Sequence, residues 1–324
     1  QKGPDRLWFV NWTKAVAEAK KTGKKTRFAK IVPFYELAFH DVALSTADRW
    51  TQGYVSGDKL LKNIEFGGRP APSVDGRYTF VSNHRDIVLD SAILCIMLFD
   101  NGFETSVEIG IGDNLLIYPW IKTLVKMNKA FTVKRGISAR DLLTSSQTMS
   151  EYMHYAINTK RENIWIAQRE GRAKDSNDRT QESVLKMVAM GGQGDAIESL
   201  RDMNIVPLTI SYEYDPCDYL KAKEFQQKRD DPGFKKSKQD DLTNMKVGIF
   251  GQKGHVHYQA SPCINEWLDE LKDVPKTEVY GEIARRIDKA IHAGYRLYPG
   301  NYVACDLLSG THELESKYRA EDQF

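Results

Sequence analysis

The sequence predicts an α/β fold, with a mostly parallel central sheet covered by helices on both faces and a helical N-terminal region. Short β-rich runs alternate with helical patterns through the middle of the chain, and this alternation builds parallel sheets. Several of these runs end in charged or polar residues, as strands do when they lead into a binding edge. A hydrophobic content of 41% and a charged content of 28% are typical of a globular protein.

The 324 residues divide into three parts. We expect residues 1–72 to form a helical N-terminal region that ends in a Gly- and Pro-rich connector, residues 73–300 to form the α/β domain, and residues 301–324 to form a C-terminal tail. A net charge of +2 is too close to zero to argue for nucleic acid as a partner, and none is expected. The four cysteines are widely spaced, which argues against a zinc ribbon and favours a reducing compartment.

The N-terminal region begins with a helical pattern that places Trp8 and Trp12 on one face and continues into a lysine-rich stretch, residues 20–30. Two interpretations are open. One is a core-packed helix with a solvated basic end, and the other is an interfacial helix on anionic lipid. No apolar run reaches the length of roughly 18–20 residues that crosses a bilayer, so we expect any membrane contact to be peripheral.

The remaining elements follow from hydrophobic periodicity and turn signals. The predicted strands are residues 78–81, 105–109, 130–133, 163–167 and 205–211, followed by a hairpin-like pair at 246–249 and 256–259. The predicted helices are residues 93–99, 115–127, 183–190, 196–203 and 279–291, together with one that opens at Ser138. The highly charged stretch 221–241 is either a solvated helix or a mobile excursion.

The most informative stretch presents His84 between a strand and a helix, with Asp86 and Asp90 two and six residues further on. A histidine in such a turn can act as a general base whose imidazole a carboxylate orients. The alternative is structural, because His84 can simply cap the turn while Asp90 serves as the N-cap of the following helix.

Two further predicted strands end in basic clusters. One cluster is Lys134 and Arg135, and the other comprises Arg169, Glu170, Gly171 and Arg172. In a parallel sheet these clusters lie along the same edge as His84, where arginine and lysine can bind a phosphate. Each cluster alone is better explained as a solvated strand end, and the phosphate-binding interpretation depends on their joint occurrence at strand ends.

His255 and His257 share one face of a predicted strand. No third metal ligand is close to them in sequence, so a structural role is favoured over metal binding.

Taken together, these motifs resemble those of the glycerolipid acyltransferases, the glycerol-3-phosphate and lysophosphatidate acyltransferase superfamily, and are most similar to a bacterial branch of it. The family pattern N-H-x4-D corresponds to Asn83, His84 and Asp90, although five residues rather than four separate the last two. The pattern G-x-x-F-[IV]-x-R is matched loosely by residues 129–135, and F-P-E-G-T-R by residues 168–172, which lack its proline and threonine. The hydrophobic run before Pro207 fits the fourth motif.

The resemblance implies direct acyl transfer from an acyl thioester, acyl-CoA or acyl carrier protein, to a phospholipid precursor. It implies His84 as the general base and Asp90 as its partner, with Asp86 as the alternative carboxylate. The acceptor's phosphate would be bound by the two basic clusters. No bound cofactor and no metal is implied. The protein would lie peripherally on the inner face of the cell membrane. The alternatives are a lyso-aminolipid acceptor and a non-catalytic lipid- or carrier-binding relative.

Overall fold

The computed structural model describes residues 64–66, 73–116, 118, 121–122, 125–126, 128–136, 138–174 and 176–323. Most of the predicted N-terminal region, including its tryptophans and lysines, lies outside these residues, as do six of the thirteen residues of the predicted helix 115–127. The three-part division of the chain therefore stays a prediction. Residues 64–66 form a strand, and helix α8 (Pro299–Ser309) spans the predicted start of the tail.

A seven-stranded sheet forms the centre of the described structure, with the strand order β1-β7-β6-β2-β5-β3-β4. All neighbouring strands are parallel except β6 and β7, which are antiparallel. The prediction of a mostly parallel sheet is thus confirmed. The strands are β1 (Ile64–Phe66), β2 (Thr79–Ser82), β3 (Val107–Gly112), β4 (Ala130–Val133), β5 (Asn163–Ala167), β6 (Ile205–Tyr212) and β7 (Val256–Ala260).

Helices connect the strands and cover the sheet. The remaining helices are α1 (Leu89–Asp100), α2 (Ala139–Tyr155), α3 (Glu182–Ala189), α4 (Ala196–Asp202), α5 (Asp218–Asp230), α6 (Lys238–Phe250) and α7 (Val279–Ala293). Helix α2 begins at Ser138, whose side chain accepts a hydrogen bond from the Asp141 amide, as its capping-box spacing predicts. Helix α7 ends at Gly294, also as predicted.

Alternating side chains of the central strands divide the core into two layers. Phe80 and Trp165 point to one face, where they pack with the apolar residues of α1. Val81 and Ile164 point to the other face, where α2, α3, α4 and α7 cover the sheet. Strands buried on both faces have continuous hydrophobic sequences, and for this reason β5 and β6 could be predicted from the sequence.

Strands β2 to β6 all end at the same edge of the sheet, which we call the carboxyl edge. The antiparallel β7 begins there. Between β6 and β7 the chain makes an excursion that contains α5 and α6, and α6 packs near the short 3₁₀ turn Asp113–Leu115 that follows β3. Part of the carboxyl edge is therefore covered by this excursion.

One predicted strand is wrong. Residues 246–249 lie inside α6, and β7 pairs with β6 instead of with them. Helix α6 starts with a reciprocal capping box between Ser237 and Asp240, and this start signal fixes the helix well upstream. A four-residue apolar run alone does not distinguish a strand from part of a helix.

Two other elements differ in detail. The charged stretch 221–241 contains most of helix α5 and the first residues of helix α6, and within α5 the side chains of Lys221 and Glu224 are buried rather than solvated. Strand β3 begins and ends slightly later than predicted. Among the helices of the described ranges, none is long and apolar enough to cross a bilayer.

Candidate functional site

The loop after β2 is held in place by Asn83. The Asn83 side-chain nitrogen donates to the Ile210 carbonyl at 2.8 Å, and its oxygen accepts from the Ile210 amide at 2.8 Å. The fully buried side chain therefore replaces the backbone ladder between β2 and β6 at the point where β2 ends. This anchor fixes the backbone from which the next residue, His84, projects.

His84 and Asp90 form a close pair. The His84 Nδ1 atom lies 2.8 Å from Asp90 Oδ2, with the imidazole 16% exposed and the carboxylate fully buried. A carboxylate at Nδ1 favours the tautomer that carries the proton there, which leaves Nε2 as a proton acceptor. Within the described ranges, Nε2 makes no hydrogen bond. The other face of the ring packs edge-on against Trp165, with ring centroids 5.5 Å apart.

Asp90 is held by the turn it terminates. Its Oδ2 atom also accepts from the backbone amides of Arg85 at 2.7 Å and Asp86 at 3.1 Å. Its Oδ1 atom accepts from the Tyr212 hydroxyl at 3.1 Å. These N–H and O–H donors satisfy the buried carboxylate on both oxygens. The position of Asp90 in the first turn of α1 adds the favourable helix dipole.

Asp86, the alternative orienting carboxylate, has a different environment. Its Oδ1 atom accepts from the backbone amides of Val88 and Leu89, both at 2.8 Å, so it caps the start of α1. Burial raises the pKa of Asp86, and the nearby charge of Asp90 raises it further. The structure thus brings Asp90 rather than Asp86 to the imidazole.

The end of β5 lies directly beside this loop. The Gln168 amide donates to the Ser82 carbonyl at 2.8 Å, continuing the pairing of β2 and β5. The chain then turns through Gly171, whose φ of +71° is a left-handed conformation that favours glycine. The cluster that begins at Arg169 is thereby brought to the carboxyl edge next to His84.

The two arginines of this cluster are only partly bonded. Arg172 is buried, and its Nη2 donates to Asn244 Oδ1 of α6 at 2.9 Å. Its Nη1 atom and the Nε atom of Arg169 are buried without a hydrogen-bond partner in the part of the chain that the structure describes. Buried donors are normally satisfied, so these guanidinium groups fit a bound anion. Glu170 is exposed, and its amide donates to Gln181 at 2.8 Å.

The basic cluster after β4 sits farther along the same edge, because β3 lies between β5 and β4. Lys134 is exposed. The side chain of Arg135 lies 3.5 Å from Glu170, and its backbone amide donates to Asp113 Oδ1 at 3.2 Å. The ion pair is solvent-exposed and so of small energetic value, but it links the two clusters. All three predicted groups of residues therefore lie along one edge.

Sequence reasoning missed three residues that support this arrangement. Tyr212 binds Asp90, Asn244 binds Arg172, and the guanidinium of Arg85 joins the His84 loop to residues that precede α3 and follow α7. The Arg85 side chain donates to the hydroxyl of Ser176 at 2.9 Å and lies 3.3 Å from Asp178. These contacts join residues more than 70 positions apart. Of the three missed residues, only Arg85 lies next to a residue, His84, that the local sequence pattern identifies.

His255 and His257 do not form a metal site in the described structure. His255 Nδ1 contacts the Glu213 carboxylate, and its ring stacks on Tyr298 with centroids 5.7 Å apart. Over the described ranges, no three His, Cys, Asp or Glu side chains come together as metal ligands would.

Fold and site together define an α/β protein with a histidine–aspartate pair and buried arginines at the carboxyl edge of its sheet. No protein-family model matches the chain, and no curated protein matches it in sequence. Among solved structures, it is similar to the 1-acyl-sn-glycerophosphate (LPA) acyltransferase PlsC from Thermotoga maritima, with a TM-score of 0.40 and 10% sequence identity. That similarity covers 90% of this chain and 99% of the other.

Proposed function

We propose that the chain is an acyltransferase that moves a fatty acyl group from a thioester donor to the hydroxyl of a glycerol-phosphate acceptor, lysophosphatidate or glycerol-3-phosphate. One observation carries the proposal. The imidazole of His84 is bound through Nδ1 to the buried Asp90, which leaves Nε2 as a proton acceptor, and the end of β2 that carries this loop pairs with the end of β5 that leads into Arg169 and Arg172.

The proposed reaction follows from this geometry. His84 Nε2 takes the proton of the acceptor hydroxyl as its oxygen attacks the thioester carbonyl. A C–O bond forms, the C–S bond breaks, and the imidazolium returns its proton to the departing thiolate. Asp90 keeps the ring in the required tautomer and stabilises the imidazolium. General-base catalysis of this kind contributes about 10²–10⁴-fold, and positioning of the acceptor supplies much of the remainder.

The unbonded guanidinium nitrogens support a phosphate-bearing acceptor. Arg172 Nη1 and Arg169 Nε are buried N–H donors without partners among the described residues, and an unsatisfied buried donor costs about 1–3 kcal/mol. Phosphate oxygens accept from arginine through strong charge-assisted hydrogen bonds. Because Asn244 fixes the other side of Arg172, this guanidinium is held in place before the acceptor binds.

The proposal is tested by acyl transfer from palmitoyl-CoA and palmitoyl-carrier protein to glycerol-3-phosphate and, separately, to lysophosphatidate. Wild type is compared with His84→Ala and with His312→Ala, which removes an exposed histidine whose ring pairs with Glu315. We expect turnover with at least one acceptor, a loss of at least about 10²-fold in His84→Ala, and unchanged turnover in His312→Ala. Equal turnover of all three proteins would refute the proposal.

We also propose that the protein docks peripherally on a membrane, at the inner face of the cell membrane, where the acyl chains are delivered. Exposed apolar side chains on segments next to the carboxyl edge support this: Tyr118, Leu142, Leu143, Tyr214, Phe250 and Leu297. The exposed Lys134 and Arg135 on the same edge would attract anionic lipid.

Two alternatives remain distinguishable. A lyso-aminolipid acceptor has no phosphate, so undiminished acyl transfer by Arg135→Ala would favour it. A non-catalytic relative would be expected to have no carboxylate within hydrogen-bond reach of His84. The 2.8 Å separation of His84 and Asp90 argues against that alternative.

A further inference from the structure

The two oxygens of the Asp90 carboxylate have unequal partners. Three N–H groups converge on Oδ2, namely those of the His84 ring and of the Arg85 and Asp86 backbones. Among the residues that the structure describes, Oδ1 has one partner, the hydroxyl of Tyr212 at 3.1 Å. Because Asp90 is fully buried, bulk water does not take the place of the Tyr212 hydroxyl as the partner of Oδ1. The rotation of the carboxylate about its bond to Cβ is therefore fixed from one side by the turn and from the other by Tyr212.

Tyr212 is well placed to remain a donor. It is the last residue of β6, and its ring packs against the core layer that contains Trp165 and Tyr258. Burial raises the pKa of Tyr212 and of Tyr258 well above the usual value of a phenol, and nearby Asp90 raises both further. Both hydroxyls therefore keep their protons over the pH range in which a histidine titrates.

We propose that Tyr212 is a positioning residue, which holds Asp90 so that Oδ2 faces the Nδ1 atom of His84 and which draws part of the carboxylate's charge away from the imidazole. Its kinetic consequence rests on the proposed acyl transfer, whereas its effect on the His84 ring does not. No sequence motif marks this residue, because it lies 122 positions from Asp90.

The charged surroundings set the direction of the expected effect. Asp86 lies beside Asp90, and the positive charges of Arg172 and Lys253 act on Asp86. Lys253 donates to the carbonyls of Ile249 and Gly251 at the end of α6, and burial lowers its pKa to about 8. A phenylalanine at position 212 changes none of these groups. Three N–H donors still remain on Asp90 Oδ2 in that variant.

Replacement of Tyr212 by phenylalanine is therefore expected to strengthen the attraction between Asp90 and a protonated His84. The titration midpoint of the His84 ring should move to higher pH by about 0.5 unit. It is measured by NMR on protein labelled at histidine Cε1, with the His84 signal identified by its loss in His84→Gln. In acyl transfer, the acid limb of the pH profile should move in the same direction, and kcat should fall by about tenfold with little change in KM.

Tyr258→Phe provides the matched control. It removes a neighbouring buried hydroxyl that donates to the backbone carbonyl of Asp90 at 2.9 Å rather than to its carboxylate, and that also interacts with the Tyr212 hydroxyl. A shifted His84 midpoint in Tyr212→Phe and an unshifted one in Tyr258→Phe would support the proposal. An unmoved midpoint in Tyr212→Phe, or equal shifts in both variants, would overturn it.

The NMR titration also separates the two proposals. If the wild type transfers no acyl group, the proposed function fails, but the response of the His84 ring to Tyr212→Phe still decides the role of Tyr212. Thermal unfolding of both variants shows whether each retains its fold at the temperature of the measurement.

Discussion

At the residue scale, Asp86 and Asp90 lie only four positions apart, and their carboxylates have different roles. Both are buried in one turn. Asp90 accepts hydrogen bonds from the imidazole, from two amides and from a hydroxyl. Asp86 instead accepts through one oxygen from two backbone amides at the start of α1. A helix cap requires only a hydrogen-bond acceptor, and asparagine serves as well as aspartate. Orientation of an imidazole for general-base catalysis requires the charge.

Replacement of Asp90 by asparagine should therefore lower acyl transfer far more than replacement of Asp86 by asparagine. Asp90→Asn is expected to lower acyl transfer by about 10³–10⁴-fold, because the amide can reverse the tautomer of His84. Asp86→Asn keeps the cap and removes a carboxyl whose pKa is raised by burial, so it should retain activity within about tenfold. Steady-state kinetics of the two variants checks this. Greater loss in Asp86→Asn would reverse the assignment.

His84 and both candidate carboxylates could be predicted from local sequence, since a strand, a turn and a helix within a dozen residues leave few arrangements. The choice between Asp86 and Asp90 could not, because it depends on which carboxylate meets the amides of the turn. Tyr212 and Asn244 reach the site from distant elements. Contacts of that kind leave no periodic trace in one sequence.

At the scale of elements, helix α6 approaches the site closely at Gly248, which faces Asp86. A β-carbon placed on Gly248 would lie 1.9 Å from Asp86 Oδ2, and that carboxylate is held by its bonds to α1. Four residues earlier on the same helix, Asn244 binds Arg172. The close approach at Gly248 therefore sets the distance at which α6 covers the carboxyl edge.

Gly248→Ala is expected to destabilise the protein by about 1–3 kcal/mol, the usual cost of overpacking. The matched control is Gly300→Ala in the first turn of α8, where a β-carbon would meet nothing within 4 Å. That variant should be neutral or slightly stabilising, by up to about 1 kcal/mol. Urea denaturation monitored by circular dichroism measures both changes. Equal stability of the two variants would show that α6 can move away from Asp86 without a loss in the free energy of unfolding.

Elements were predictable to different degrees for physical reasons. Strand β5, buried on both faces, and helix α7, with apolar residues four apart, were predicted closely because their patterns reflect what they bury. The excursion between β6 and β7 was not, because α5 and α6 contribute little to either core layer. Helix α5 instead buries Lys221 and Glu224 in ion pairs, which sequence patterning treats as surface.

At the scale of the whole molecule, the proposed docking surface predicts an asymmetry between the two edges of the sheet. The double variant Leu142→Ser, Leu143→Ser lies next to the carboxyl edge, and both side chains are exposed. Val74, also exposed, precedes β2 at the opposite edge. We expect the double variant to bind vesicles containing anionic lipid several-fold more weakly than wild type, and Val74→Ser to bind normally, because each exposed apolar side chain buried in lipid contributes to affinity.

Sedimentation with vesicles measures this binding. Equal binding by the wild type and the double variant would remove Leu142 and Leu143 from the docking surface. Deletion of residues 7–30 tests in the same assay whether the predicted interfacial helix takes part. Unchanged binding after that deletion would leave the basic N-terminal stretch without a membrane role.

The pairing of β1 with β7 has a consequence for how the chain folds during synthesis. Ile64 lies opposite Tyr258, so the first strand of the sheet is made about 190 residues before its only strand neighbour in the described structure. At a synthesis rate of about 5–20 residues per second, β1 waits roughly 10 to 40 s for a partner. The parallel strands β2 to β6 can assemble in the meantime, so we expect β1 to join last, after β7 has paired with β6.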